Sequence, residues 1–371
     1  MRRAPRGPAS RRGGWVAVVV EVMETLRRAL ARGQWPRRER APDDILHRGA
    51  AILDACGARA VPPEDAAYPR GLRDLDKLER DDSLRPDARV RRSKNALRPT
   101  VFLRGSWSSD CTVAIVGSRR ATLDGVRVAR DLAASLAEQG VAVVSGLAEG
   151  IDAAAHEGAL DAGGRSGAVL GTSIEDCFPA SHARLQERLA GSLGLMTEVF
   201  PGSPSSQRSF SERNHLLAAI SDLVVIVQGD GKSGALITTG AARAMERPVG
   251  AIPWDIYEAL GAAGHRLLHD GQAVLIRGPE DALALLGIEP TPRGAKRTAR
   301  LPALDGTESR ALAAIGRVPR SFDEVAAASG LTAAELGAAL LELEILGLAR
   351  REAGGRVRRT PASPSPRRPD A

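Results

Sequence analysis

Four short stretches carry residues whose types and spacing suit chemistry with phosphate. The first is Gly117-Ser118-Arg119-Arg120, which follows the apolar run Val113–Val116. Glycine admits a phosphate close to the backbone, and Ser118 offers a hydroxyl and an N–H. Arg119 adds a permanent cation that can fork onto phosphate oxygens. The blander reading is a tight turn with two solvated arginines. The second stretch is Ser145-Gly146 with Gly150-Ile151-Asp152, after Val141–Val144. Asp152 is placed to cap the following helix. It stands four residues from His156, on one helical face. No nucleophile or metal partner is near, so a structural pairing is expected rather than acid–base catalysis.

The third stretch is Phe210-Ser211-Glu212-Arg213-Asn214-His215, preceded by the polar GSPSSQRS. Arg213 and Asn214 are expected to open a helix there. A base can stack on Phe210 while Arg208 and Arg213 take backbone phosphates. The alternative is a helix start with a buried Phe. The fourth is Gly229–Thr239 (GDGKSGALITT), with Lys232 as a point charge and Ser233-Gly234 in the turn. It fails the P-loop pattern, because Ile226 stands where that pattern needs Gly. ATP hydrolysis therefore has no local support, and a flexible turn with a solvated Lys stays open.

These stretches need a scaffold that brings strand ends together. From Val101 the chain alternates short apolar runs with helical intervals. Strands are expected at Val113–Val116, Val141–Ser145, Gly167–Leu170, Leu195–Val199, Leu223–Val227, Val249–Ile252 and Ala273–Ile276. Helices are expected at 123–138, 151–162, 182–190, 212–220, 234–246 and 279–286. This rhythm predicts an α/β fold: a Rossmann-like parallel sheet with helices on both faces, and ligands at the carboxyl ends of the strands. Before it, 15–62 reads as a small helical region, with Val18, Val22, Leu26 and Leu30 on one face. The charge-dense 63–99 reads as a surface excursion. After it, Thr307–Ile315, Phe322–Ser329 and Thr332–Leu346 read as three helices, with Gly354-Gly355 at a hairpin tip. That is a C-terminal winged helix. Its third helix carries Glu335, Glu342 and Glu344 and no basic residue before Arg350, which suits protein contact better than groove reading. The domain scheme is then 1–14 basic tail, 15–98 helical region and excursion, 99–288 Rossmann-like domain, 289–301 linker, 302–359 winged helix and 360–371 tail.

The 371 residues carry a net charge of +7, but unevenly. Residues 1–40 hold eleven Arg against three Glu, and 350–371 hold seven Arg against two acids. The middle is net acidic, so an anion site there depends on a few local cations. Aromatics are 3% of the chain, so the core must be aliphatic. Cys56, Cys111 and Cys177 form no CxxC pair, and with six His they give no metal spacing. No metal or cofactor is expected, and a reducing cytoplasm suits the cysteines. No run approaches a membrane span, and Ser10-Arg11-Arg12 makes a poor export signal, since Glu21 and Glu24 interrupt the apolar run behind it.

Taken together and in this order, the motifs resemble the DNA-processing protein A family (DprA, also called Smf). The match runs from about Pro99 to Gly287 through VAIVGSRRAT, VVSGLAEGIDAAAHEGAL, AVLGTSIEDCFP, MTEVFPG, SFSERNHLLAAISDLVVIVQ and SGALITTGAARAMERPVGAIP. The 302–358 tail resembles that family's winged helix. The resemblance implies a protein that binds incoming single-stranded DNA in natural transformation, protects it and helps load the RecA recombinase. It also implies a homodimer, and no enzymatic activity. The site it implies comprises Gly117, Ser118, Arg119, Ser145, Gly146, Phe210, Arg213, Asn214, Ser233 and Gly234; the residue types add Arg208 and Lys232. The chain departs from the family pattern at Glu149, at His215 and at Pro253-Trp254, and the first two lower the positive charge near the site. Two other classes remain: a phosphoribohydrolase-like nucleotide enzyme, whose PGG-x-GT-x-x-E signature is not met by GDGKSGALITT, and a protein-interaction scaffold.

Overall fold

The computed structural model describes residues 22–29, 43–79, 98–108, 111–290, 304, 306–316, 319–346 and 348–359. The expected tails, most of the linker, the second half of the charged excursion and the flanks of the first helix lie outside them. The chain divides into two compact units after Thr291.

In the first unit, helices α1 (22–29) and α2 (Asp43–Cys56) precede the short strand β1 (Arg59–Val61) and then β2 (Val101–Arg104). The alternating part follows: β3 (Thr112–Val116), α3 (Leu123–Glu138), β4 (Ala142–Ser145), α4 (Ile151–Asp161), β5 (Ser166–Val169), α5 (Ala183–Ala190), β6 (Gly194–Thr197) and α6 (Gln207–Ala219). It ends with β7 (Leu223–Ile226), α7 (Ala235–Ala244), β8 (Val249–Ala251), α8 (Ala262–His269), β9 (Val274–Leu275) and α9 (Pro279–Leu285). Among the described residues these strands form one sheet, ordered β1-β2-β6-β5-β4-β3-β7-β8-β9. The seven from β6 to β9 are parallel, and β2 and β1 add antiparallel at one edge.

Period-two alternation assigns each strand residue to one face. Val113 and Ile115 of β3 pack with Leu132, Leu136, Ile151 and Ala155 of α3 and α4. Ala114 and Val116 pack on the other face with Leu216, Leu217, Ala241 and Ala242 of α6 and α7. Small residues let α3 and α4 touch: a Cβ on Gly158 would lie 2.2 Å from the Arg130 carbonyl oxygen. Successive crossovers from β3 to β6 move one way along the sheet, and those from β7 to β9 the other. The switch point therefore lies at the carboxyl ends of β3 and β7.

Three expectations change. Arg59–Val61 and Val101–Arg104 are strands that extend the sheet, so the N-terminal region is not purely helical. Part of the supposed surface excursion is core: Tyr68, Leu72 and Leu75 are buried around a 3₁₀ helix at Arg70–Glu79. Its charges hid this. Arg247 pairs with Asp74 at 2.8 Å and Lys77 with Glu246 at 2.9 Å, while a Cβ on Gly71 would strike the Ala219 carbonyl oxygen at 1.9 Å. Finally, α8 was not expected, since Gly264 inside it and Gly261 at its N-cap weaken the helical pattern.

The second unit holds α10 (Gly306–Ala314), α11 (Phe322–Ser329), α12 (Ala333–Ile345) and the hairpin β10 (Ala349–Arg351) with β11 (Val357–Arg359). Capping boxes Ser321/Glu324 and Thr332/Glu335 open α11 and α12, and Gly330, at φ 65°, ends α11. Leu312, Val325, Leu336, Leu340, Leu343 and Val357 make its core. Gly354 and Gly355 take positive φ at the wing tip.

Candidate nucleic-acid interface

At the switch point the loops after β3, β4 and β7 meet α6 around a cavity of about 290 Å³. Gly117, Ser118, Arg119 and Arg120 form one wall, Ala148 and Asp152 the floor beside them, and Asp230, Lys232, Ser233 and Gly234 the opposite wall. Arg213, Asn214 and Leu217 of α6 close the third side. A second cavity of about 110 Å³ shares Arg119, Ala148 and Arg213 and adds Gly146, Glu149, Phe178, Pro179 and Phe210.

Close packing explains the glycines. A Cβ on Gly117 would lie 2.6 Å from Ile151 Cγ1 and 2.7 Å from the Gln228 carbonyl oxygen. Gly150 has φ +77°, and a Cβ there would strike the Ser118 carbonyl oxygen at 2.3 Å. Gln228, at the end of β7, ties the two walls. Its carbonyl accepts the Ser118 N–H at 2.7 Å, its Oε1 accepts the Thr122 N–H at 3.0 Å, and its Nε2 donates to Thr122 Oγ1 at 2.9 Å.

These bonds alter how the turns can hold an anion. The Ser118 N–H is taken by Gln228, and the Arg120 N–H donates to Ser118 Oγ at 3.1 Å. In the opposite turn the Lys232 N–H donates to Asp230 Oδ1 at 2.9 Å and the Ser233 N–H to the Asp230 carbonyl at 3.1 Å. Much of the backbone N–H supply expected for phosphate is thus internal. Charge at the cavity comes from side chains instead. Among the described residues, no carboxylate lies within ion-pair distance of Arg119, Arg120 or Lys232. Many surface arginines are paired, among them Arg104 with Glu187 at 2.8 Å and Arg277 with Asp281 at 2.7 Å.

Arg213 behaves differently. Helix α6 starts at Gln207, earlier than expected, because Ser206 and Ser209 make a capping box. Arg213 therefore sits in the second turn and is 5% exposed. Its Nη1 donates to the Val169 carbonyl at 2.9 Å, and its guanidinium occupies the space left by Gly146. Asp152 lies beside it. Instead of capping α4, whose N-cap is Gly150, Asp152 accepts the N–H groups of Gly146 at 3.1 Å and Ala148 at 3.4 Å. Burial pushes the Asp152 carboxyl up from the ordinary range, against the pull of Arg213 and these donors. His156 does not pair with Asp152. Its Nδ1 meets Ser166 Oγ at 2.8 Å, and that hydroxyl donates to the Val143 carbonyl at 2.8 Å. The ring nitrogen must then be the donor. Burial first, then Arg213 and His182, bring the His156 pKa down to about 3.

Of the twelve residues expected from sequence, Gly117, Ser118, Arg119, Arg213, Asn214, Lys232, Ser233 and Gly234 line the first cavity. Gly146 and Phe210 line the second. Ser145 lines neither: it is fully buried, with its hydroxyl donating to the Ile115 carbonyl at 2.6 Å. Arg208 also lines neither, and its Nε pairs with Glu212 at 2.8 Å. Phe210 faces the Arg119 guanidinium at 6.0 Å from its ring centroid and Phe178 at 5.5 Å between centroids. Phe178 and Pro179 were missed as site residues, since nothing in Cys177-Phe178-Pro179 signals its place beside Phe210. Arg120 and Asp230 were missed although each adjoins an expected site or turn residue.

Side-chain cations and aromatic rings thus meet at the switch point of a Rossmann-like sheet. The sequence model of DNA recombination-mediator protein A matches residues 86–287, and that of the DprA winged helix domain matches 295–355. The chain belongs to the DNA recombination-mediator protein A family. It is 41% identical to the putative DNA processing protein DprA of Mycobacterium tuberculosis over 244 residues, which are 64% of this chain and 61% of that one. It thus spans about three-fifths of that relative's length. It is 32% identical to protein Smf of a Synechocystis strain, covering 67% of this chain and 70% of the relative. The X-ray structure of DNA processing protein A from Streptococcus pneumoniae superposes with a TM-score of 0.57 at 26% identity, covering 74% of this chain and 93% of that one. Among the described residues no single helix is long and apolar enough to cross a membrane, and no cluster of three or more His, Cys, Asp or Glu is placed to hold a metal.

Proposed function

We propose that the protein binds single-stranded DNA at the switch-point cavity and acts in DNA processing during natural transformation, without making or breaking a bond in the strand. One observation carries this reading: Arg119, Arg120 and Lys232 converge on one cavity, and among the described residues none of them has a carboxylate within ion-pair distance. Phosphates neutralise these cations, and the rings of Phe210 and Phe178 beside Arg119 offer apolar faces to bases. Relatives described as DNA processing proteins support the role. Delivery of the strand to RecA, a homodimeric state and a cytoplasmic location complete the proposal, on the strength of family membership. The test is fluorescence anisotropy of the full chain with single- and double-stranded oligonucleotides across a salt series. Tighter binding to single strands and a steep loss of affinity with salt are expected. Equal binding to both forms, or salt-independent binding, overturns the reading.

The domain scheme is proposed with it: the Rossmann-like domain at 99–288 and the winged helix at 302–359 are joined by the linker 289–301. Limited proteolysis should cut first in that linker. For the winged helix a protein-docking role is favoured. The exposed surface of α12 shows Leu341 and Ile345 beside Glu342, and presents no cation to a phosphate backbone. A gel shift that needs the winged helix only when a second protein is present would support this role.

A further inference from the structure

Aromatic residues are 3% of this chain, and most described rings are at least partly buried. Among the described residues two aromatic rings are exposed: Phe178 at 55% and Tyr257 at 90%. Both follow parallel strands at the carboxyl edge of the sheet, Phe178 after β5 and Tyr257 after β8. The strand order between them is β5-β4-β3-β7-β8. Four inter-strand steps of ~4.8 Å place the two loops roughly 19 Å apart. The cation-lined cavity, built on the loops of β3, β4 and β7, lies between them.

The Tyr257 loop is fastened. Trp254 Nε1 donates to the Val227 carbonyl at 2.6 Å, and His265 Nε2 meets the Trp254 carbonyl at 3.0 Å. Asp255 Oδ1 accepts the Tyr257 N–H at 2.9 Å, and Glu258 Oε1 accepts the Leu260 N–H at 3.0 Å. The Gly229 N–H donates to the Leu260 carbonyl at 2.6 Å, and the Ala263 N–H to the Gly229 carbonyl at 2.9 Å. These last bonds join the loop to the turn that carries Lys232. A held loop thus presents Tyr257, with Ile256 at 82% exposure, to solvent. Holding apolar surface in water gains nothing by itself. The loop carries Asp255 and Glu258 and no cation, so it does not suit a phosphate. What it offers is an aromatic face.

We infer that Tyr257 is a stacking platform for a base of the single strand, at the end of the strand's path beyond Lys232. The inference rests on the proposed single-strand reading of the central cavity. Phosphates sit over Arg119, Arg120 and Lys232, and the next base turns onto the Tyr257 ring beside Ile256. Stacking of this kind tolerates any base, because every base has a π-face.

The experiment compares full-length wild type, Tyr257→Ala and Tyr257→Phe by fluorescence anisotropy. The probes are oligo-dT and an abasic strand of equal length, which keeps the phosphates and lacks the bases. Tyr257→Ala should weaken oligo-dT binding about fivefold or more, and Tyr257→Phe should keep it. All three proteins should bind the abasic strand alike. An unchanged oligo-dT affinity in Tyr257→Ala overturns the platform, as does an equal loss on both probes. A loss accompanied by a change in oligomeric mass overturns it in favour of a contact between copies of the chain. If wild type does not bind oligo-dT at all, the central reading fails with it. If wild type binds and only the platform comparison fails, that reading stands.

Discussion

A Cβ built on Gly146 would lie 1.4 Å from Nη1 of Arg213. The two residues therefore share one space, and the absence of a side chain at 146 is what lets a guanidinium lie beneath the cavity. Arg213 is positioned there by Val169 and the neighbouring Asp152, and a buried cation of this kind depends on both. Gly146→Ala should displace it and destabilise the fold by about 1–3 kcal/mol, as overpacking does. Urea denaturation of the two proteins measures this. An unaltered midpoint would show that the guanidinium has somewhere else to go.

Arg119 is, beside the buried Arg213, a cation shared by both cavities. Arg119→Ala should lower oligo-dT affinity roughly tenfold and reduce the slope of log K against log salt by about one. The readout is a salt titration of the wild type and the variant. A slope that does not change would remove Arg119 from the phosphate contacts.

Glu149 lines the smaller cavity and is exposed. Its charge opposes a polyanion. Glu149→Gln should raise affinity for single strands severalfold at low salt, and the gain should fade as salt screens it. No gain at low ionic strength would place the strand away from this cavity.

His156 binds its proton far less readily when folded, with a pKa near 3 against an ordinary 6.5. Between those values the unfolded chain holds more protons than the folded one, so stability falls as pH drops from 6.5 toward 3. The full contribution is present above 6.5. The slope from this group is about 1.4 kcal/mol per pH unit inside the window. Chemical denaturation of wild type and His156→Gln at several pH values tests it: the variant should show a shallower dependence between about pH 4 and 6, values inside that window.

The sheet was legible because β-branched runs such as Val113–Val116 and Leu223–Val227 stop at Gly or one residue before it, a local pattern. The site was legible where function needs a residue at a turn, as with Arg119 and Lys232. Arg213 and Ser145 were harder. Both look polar and available in sequence, yet each points inward to a carbonyl on a strand distant along the chain, Val169 and Ile115. Tyr68, Leu72 and Leu75 were hidden for a similar reason. Their burial depends on a glycine, Gly71, fitting against α6, which no local pattern encodes.

Gln228 fastens the turn after β3 and the start of α3 to the end of β7. The wall of the cavity that carries Arg119 is therefore anchored before any ligand arrives. An anchored wall loses little conformational freedom on binding. On the proposed reading it would also work as a gauge, passing one flexible backbone and refusing a stiff duplex by thickness, without reading a single base.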